Sequence, residues 1–260
     1  ANDIRFFRFE AGARWHDFGH YADDQYFIDP CKLLLTTPGI NMQTGEYEAT
    51  GIPAAILAHY LRESSVIPEK ADLNSILFLL TPAETLAKFQ HLVARIVRFE
   101  RHIRENSPVT EVLPTLAKAF AQYRKLSINQ LCQKMHDFYA THQLNKLQKQ
   151  MFERAHRPAV AMSAFDAHNA FIRNDVELVP LTDIKGRIAM EGALPYPPGV
   201  YCIVPGEVWD GAVLDYFLAL QEGVNSLPGF EPEVQGVYWD YDEQGKKVAY
   251  AYVLTSSPSN

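Results

Sequence analysis

The chain has 260 residues, 47% hydrophobic and 21% charged, with 24 Lys and Arg against 31 Asp and Glu for a formal net charge of −7. That length suits one large domain or two modest ones with an ample core, and the acidic balance without a Lys/Arg cluster argues against nucleic acid as a partner. No apolar run approaches the roughly 20 residues a membrane-spanning helix needs, Ala1-Asn2-Asp3-Ile4-Arg5 lacks the layout of a secretory signal, and Cys31, Cys132 and Cys202 form neither a disulfide framework nor a zinc pattern.

The expectation is therefore a reduced, cytoplasmic protein. An opening without methionine, running straight into a dense Phe/Arg segment (Phe6, Phe7, Phe9), reads as a piece of something longer. Those phenylalanines are expected to pack on a missing domain or a partner subunit.

In chain order, Lys32–Thr37 reads as a short strand ended by Pro38-Gly39. A polar loop follows, and then Ile52–Glu63 places Ile52, Ala55, Ile56, His59 and Tyr60 at helical spacing, with Pro53 suited to the first turn. Ser75–Thr81 reads as a buried strand from its unbroken Ile-Leu-Phe-Leu-Leu run. Thr81-Pro82-Ala83-Glu84 has the spacing of a capping box. The helix predicted beyond it, to about Arg104, carries Leu86, Phe89, Leu92, Val93, Ile96, Val97 and Phe99 on one broad apolar face. Strand, helix, strand, helix is the order of a small α/β domain.

Asn106-Ser107-Pro108 is the best boundary, giving domains 1–107 and 108–260. Residues 110–155 read as helical, with Leu131, Met135 and Phe138 on one element. From Val176 onward short strands and tight turns surround one helix, Gly211 to Glu222, with Gly223 expected as its C-cap and Pro228-Gly229 as a stop. Val234–Trp239 and Val248–Leu254, joined by Asp242–Gly245, read as a final hairpin. The second half is α+β.

The most informative stretch is Gly192-Ala-Leu-Pro-Tyr-Pro-Pro-Gly-Val-Tyr-Cys-Ile-Val-Pro-Gly-Glu-Val-Trp-Asp-Gly-Ala-Val-Leu-Asp215. Pro195, Pro197 and Pro198 cannot lie inside a helix or a central strand, so Tyr196 is expected on a stiff, extended loop without room for regular structure. Glu207 is expected to cap the helix that follows. Trp209 and Trp239 read as core or interface residues, and Cys202 as an inert hydrophobe within an apolar strand.

Standard catalytic constellations are absent: there is no G-x-S-x-G, H-E-x-x-H, Walker-type loop or G-x-G-x-x-G. His16 and His20 have i,i+4 spacing, but Phe18-Gly19 between them weakens the helix a metal pair needs, so no metal is expected. Asp23-Asp24 and Asp240/Asp242 read as solvated loop charges.

Several motifs together carry a resemblance over nearly the whole chain. They are Trp15-His16-Asp17-Phe18, the run Tyr26–Gly39 with Leu33-Leu34-Leu35-Thr36-Thr37-Pro38-Gly39, and Thr44-Gly45-Glu46-Tyr47. Gly51-Ile52-Pro53-Ala54, Ile67-Pro68-Glu69-Lys70, the 192–209 stretch, Leu227-Pro228-Gly229-Phe230 and Gln235-Gly236-Val237-Tyr238 complete the set. In this order they resemble the bacterial ornithine/lysine/arginine decarboxylases, and their wording is most similar to the ornithine members.

The resemblance implies the small α/β domain of a fold-type-I, aminotransferase-like enzyme followed by an α+β C-terminal domain. It implies pyridoxal 5'-phosphate as the cofactor of the intact enzyme, L-ornithine as substrate, putrescine and carbon dioxide as products, and a homodimer or higher homo-oligomer. The family anchors its cofactor through a lysine in a Ser-x-His-Lys-type motif, and none of the eleven lysines here follows Ser-x-His. The resemblance therefore puts the cofactor lysine in the remaining N-terminal part of the enzyme, with no catalytic residue in this segment, and the segment alone is expected to be inactive. Two substrate-binding residues carry over: Glu69, matching the glutamate that faces the substrate's distal ammonium, and Tyr196, matching a tyrosine near the substrate entrance. Read from residues alone, Glu69 is a surface acid before a strand and Tyr196 a packing residue. A lysine or arginine decarboxylase, or a cofactor-free assembly or effector-binding module, are the alternative readings.

Overall fold

The computed structural model of the chain describes residues 11–12, 19, 21–22, 25–41, 44–196 and 199–255. Phe6, Phe7, Phe9, His16, His20, Asp23, Asp24, Pro197 and Pro198 lie outside the described residues. Two compact units divide the chain, Ala1–His136 and Asp137–Asn260.

The first unit is built from β1 (Lys32–Thr36), α1 (Ala54–Glu63), β2 (Lys70–Ala71), β3 (Ser75–Leu79) and α2 (Leu86–Glu105). The strands lie in the order β1-β3-β2 and both pairings are antiparallel, so the strand–helix–strand order is realised without a parallel crossover. Leu33 stands opposite Phe78 and Leu35 opposite Ile76, and this face meets the core, where Ile76, Phe78 and the α1 residues Ile56, Leu57 and Leu61 are buried. The other face leaves Leu34 and Leu79 exposed. β3 is thus half-buried in alternation, not buried throughout as its apolar run predicts, because only one face of the sheet is covered in this unit.

Helix α2 begins one turn later than its capping-box motif predicts. Thr81–Glu84 closes a turn, Glu84 N donating to Thr81 O at 3.0 Å, and Thr85 caps instead, its Oγ1 accepting from Lys88 N. The predicted apolar face also splits. Leu92 and Phe99 are buried, Phe99 against Tyr60 with ring centroids 5.1 Å apart, whereas Leu86, Phe89, Val93 and Val97 are exposed. The helix ends at Asn106 in the left-handed region (φ 52), as the Asn-Ser-Pro signal predicts. Short helices α3 (Val109–Val112) and α4 (Pro114–Ala119) then lead to α5 (Ile128–Thr141), within which the first unit ends. That division is set by contacts and falls beyond the 107/108 turn.

The second unit contains α6 (Leu144–Gln150), α7 (Ala164–Ile172), β4 (Val176–Pro180), β5 (Leu194–Tyr196), α8 (Gly211–Ser226), β6 (Glu233–Gln235), β7 (Tyr238–Tyr241) and β8 (Lys247–Leu254). β4, β8 and β7 form an antiparallel sheet, and β5 pairs with β6 in a separate ribbon. Ala249, Ala251 and Val253 alternate along β8 and are fully or nearly fully buried, as are Val213 and Phe217 of α8. The predicted final hairpin is β7–β8, with the Asp242 carboxylate accepting from Gln244 N and Lys246 N. Val234 and Gln235 do not belong to it. They form β6, and Gly236 turns the chain out of the ribbon at φ 73, where a side chain would come within 2.1 Å of Gly192 O.

Two helix-end expectations fail in this unit. α8 runs past Gly223 to Ser226, because that glycine serves proximity: an added Cβ would sit 3.3 Å from the Phe138 ring. Glu207 does not cap α8. Its carboxylate accepts from Val204 N at 2.9 Å and closes a turn, while Asp210 accepts from Gly211 N at 2.7 Å and begins the helix.

Candidate functional site

In the first unit the chain leaves α1 through Ser65, at φ 61, and Val66 N donates to Leu61 O at 2.9 Å. Pro68 is buried, Ile67 is 81% exposed, and Glu69 begins the β2–β3 ladder, its N–H donating to Leu77 O at 2.8 Å. The Glu69 side chain is exposed, and no ion pair among the described residues holds it. A fixed backbone thus presents an open carboxylate, able to accept hydrogen bonds from a cationic ligand group.

Behind this ladder lies a polar arrangement that sequence reasoning missed. Asn74, in the β2–β3 turn, is 6% exposed, and its amide donates to Pro38 O at 2.8 Å and to Ile52 O and Thr37 Oγ1 at 3.3 Å. His136, 1% exposed on α5, donates from Nε2 to Glu48 O at 2.7 Å. A carbonyl can only accept, so the hydrogen of this bond sits on Nε2. Asn74 Oδ1 and His136 Nδ1 are both buried without a hydrogen-bond partner among the described residues. Between them Gly39 and Gly51 pass so closely that a Cβ on Gly51 would lie 2.2 Å from His136 Nδ1. Asn in an Asp-Leu-Asn-Ser turn reads as turn chemistry, and His136 beside Leu131, Cys132 and Met135 reads as helix core. Nothing local distinguishes either. A cavity of about 300 Å³ opens beside this loop between Pro38, Gly51, Ile52, Ile103, Asn129 and Cys132, and Glu69 does not line it.

In the second unit Tyr196 is the last residue of β5, opposite Glu233. It therefore lies in a short strand and not in an irregular loop. The ribbon has only edges, which is why Pro195 fits within it. The Tyr196 ring is 40% exposed and rests against Gly199, whose N–H donates to Pro195 O at 2.9 Å. Val200 and Tyr201 beyond it are also exposed. Glu69 and Tyr196 thus belong to different compact units.

The remaining expectations can be placed. Trp209 is fully buried against Phe217 with ring centroids 5.3 Å apart, and Trp239 is half-buried in β7. Cys202 lies between bridges and not in a strand, and burial pushes its thiol up to about 12, as it does that of Cys132. Tyr238 donates to the Glu191 carboxylate at 2.7 Å, and that bond, with burial second, raises its phenol to about 12. Among the described residues no group of three His, Cys, Asp or Glu could hold a metal ion, and no helix is long and apolar enough to cross a membrane.

Comparison with known proteins supplies what this geometry cannot. Residues 1–88 match the major domain of the Orn/Lys/Arg decarboxylases, and residues 145–255 match their C-terminal domain. The chain belongs to the Orn/Lys/Arg decarboxylase family. It is 61% identical over 255 residues to the constitutive ornithine decarboxylase of Escherichia coli, covering 98% of this chain and 36% of that enzyme. It is 58% identical to the ornithine decarboxylase of Haemophilus influenzae, again over 98% of this chain and 36% of the relative. Among solved structures, lysine decarboxylase A from Pseudomonas aeruginosa superposes with a TM-score of 0.86 at 33% identity, over 97% of this chain and 34% of that one. The chain therefore spans about a third of the length of the decarboxylases it matches.

Proposed function

We propose that the chain is the C-terminal portion of a cytoplasmic, pyridoxal-phosphate-dependent ornithine decarboxylase, which as an intact homo-oligomer converts L-ornithine to putrescine and carbon dioxide. The observation that carries this is the 61% identity to an ornithine decarboxylase across almost the whole chain, against 33% to a lysine decarboxylase of the same fold. In this reading residues 1–107 are the small α/β domain of an aminotransferase-like enzyme and residues 108–260 the α+β C-terminal domain.

Bound pyridoxal phosphate supplies the electron sink for decarboxylation, and this chain's residues do not fit the holding of it. A cofactor lysine needs a desolvated setting that makes its amine nucleophilic. All eleven lysines are exposed or half-buried, and none follows Ser-x-His. This supports an anchoring lysine outside the chain, and the isolated chain is expected to release no carbon dioxide from ornithine.

The part assigned to this chain is recognition. A diamino acid brings a second cation, and a carboxylate on a fixed backbone offsets its desolvation while measuring side-chain length. Glu69 meets both requirements, since its amide is locked in the ladder and its side chain is open. Tyr196, exposed at the end of β5, is assigned to the pocket wall.

Glu69→Ala in the full-length enzyme is expected to raise the ornithine KM by about 10- to 100-fold, the worth of a charge-assisted hydrogen bond, while the cofactor absorbance is retained. Unchanged ornithine kinetics would remove the assignment. Assay of ornithine, lysine and arginine side by side tests the substrate.

A further inference from the structure

We propose that Asn74 is a positioning residue for substrate recognition, setting where the Glu69 carboxylate stands by fixing the β2–β3 turn against the Thr37–Ile52 loop. This rests on the reading of Glu69 given above and extends it to a second residue that touches no substrate.

The strand behind Glu69 is very short. β2 pairs with β3 only through Lys70 opposite Leu77 and Ala71 opposite Ile76, and the Glu69 N–H to Leu77 O adds one more rung. So brief a ladder fixes register but holds tilt weakly, so the turn that closes it decides where its far end points. That turn is tight in itself, with Asp72 N donating to Ser75 O at 2.8 Å and Leu73 N to Asp72 Oδ1 at 2.8 Å. Its ties to the rest of the unit converge on Leu73 and Asn74. Ala54 N, at the start of α1, donates to Leu73 O at 2.9 Å, and Thr37 N donates to Asn74 O at 2.9 Å. The Asn74 amide then reaches Pro38, Ile52 and Thr37, residues 22 to 37 positions away.

The amide can face only one way. Turned round, its oxygen would meet the carbonyl oxygens of Pro38 and Ile52, so the nitrogen is held there and Oδ1 is left buried without a partner among the described residues. Most buried polar groups find a partner, and one that does not calls for an explanation. Here the explanation is geometric: one amide reaches the loop at Thr37 and Pro38 and the approach to α1 at Ile52, adding a side-chain tie to the main-chain bonds of Leu73 and Asn74. Aspartate would set a carboxylate against two carbonyls, and alanine would leave those acceptors without their donor.

Ornithine and lysine differ by one methylene, and discrimination at that level is worth about 10- to 200-fold. A carboxylate that measures length must be held to within a fraction of that difference. Releasing Asn74 is thus expected to blur substrate length before it impairs chemistry.

The test uses the full-length enzyme with Asn74→Ala, Asn74→Ser, Glu69→Gln and the double variant Asn74→Ala/Glu69→Gln. Asn74→Ala is expected to raise the ornithine KM about tenfold with kcat within about twofold, and to narrow the preference for ornithine over lysine. Because Asn74 acts through Glu69, the double variant should be no worse than Glu69→Gln alone. Additive effects, or a fall in kcat at unchanged KM, would overturn the proposal. Amide hydrogen exchange over Glu69–Leu77 gives a reading independent of substrate, with Asn74→Ser as the variant that keeps a short hydroxyl in place. Faster exchange there, with α5 unchanged, supports the clamp, and unchanged exchange sinks it. If Glu69→Gln leaves the KM untouched while Asn74→Ala raises it, both the role of Glu69 and this proposal fail. If Glu69→Gln raises it and Asn74→Ala does not, only the proposal fails.

Discussion

Two irregular segments, Pro38–Ile52 in the first unit and Gly192–Gly206 in the second, both close on themselves through main-chain bonds among their described residues, but they are tied to the rest of their units by different means. The first is tied down by side chains from elsewhere: Asn74 to Pro38 and Ile52, Gln133 to Ala49 O at 3.1 Å, and His136 to Glu48 O. The second is held mainly by main-chain bonds. Ala193 N donates to Ile203 O, Cys202 N to Ala193 O, Gly206 N to Ala189 O and Ala161 N to Gly206 O, and the chain passes hard against Gly236. A side-chain tie is lost when its residue is substituted, whereas a main-chain bond survives most substitutions.

Substitutions at the two close-packed glycines should separate these cases. Gly236→Ala puts a methyl group 2.1 Å from Gly192 O at positive φ, so it is expected to cost about 3 kcal/mol or more in urea unfolding. Gly51→Ala meets the His136 ring instead. Its cost should be about 1–3 kcal/mol, and a second change, His136→Ala, should recover part of it. Cys202 and Cys132 report which region has opened. Both thiols are buried and raised to about 12, so iodoacetamide at pH 8 should spare both in the native protein. Peptide mapping should then find Cys202 alkylated in Gly236→Ala and Cys132 in Gly51→Ala. Equal exposure of both cysteines in either variant would erase the distinction.

A smaller effect is expected at Tyr238. Its folded-state value lies above the ordinary tyrosine range, so folding favours the protonated phenol. The stabilisation is present in full below about pH 10 and is lost as pH rises through about 12. Tyr238→Phe should therefore lower the Tm slightly at pH 8, and the difference should vanish toward pH 12. The smallest is a control: Arg104→Ala breaks the exposed Arg104–Glu100 pair on α2, and no change in Tm is expected.

The features legible in the sequence are those whose cause is local. Asn106-Ser107-Pro108 ends α2 because the left-handed Asn needs no partner far away, and Asp242–Gly245 turns the last hairpin for the same reason. Legibility stops where a distant group decides. Thr81 and Thr85 both satisfy capping chemistry, and only the turn spent on Pro82-Ala83 selects the second. Gly223 looks like a helix end until Phe138 is seen beside it. Val234 and Gln235 read as part of the last hairpin, yet their partner is β5, some forty residues earlier in the chain. At the candidate site Glu69 and Tyr196 stand out through the family motifs around them, whereas Asn74 does not, because its acceptors are backbone oxygens that no pattern of side chains reveals.

The β5–β6 ribbon has one further consequence. Pro195 offers no N–H, and its carbonyl is already taken by Gly199. An extra strand laid along that border would find neither donor nor acceptor at its midpoint, so the β5 border of the ribbon resists strand addition. Any neighbouring molecule that settles there must do so through side chains such as Tyr196, which leaves this border unsuited to fibre-like stacking.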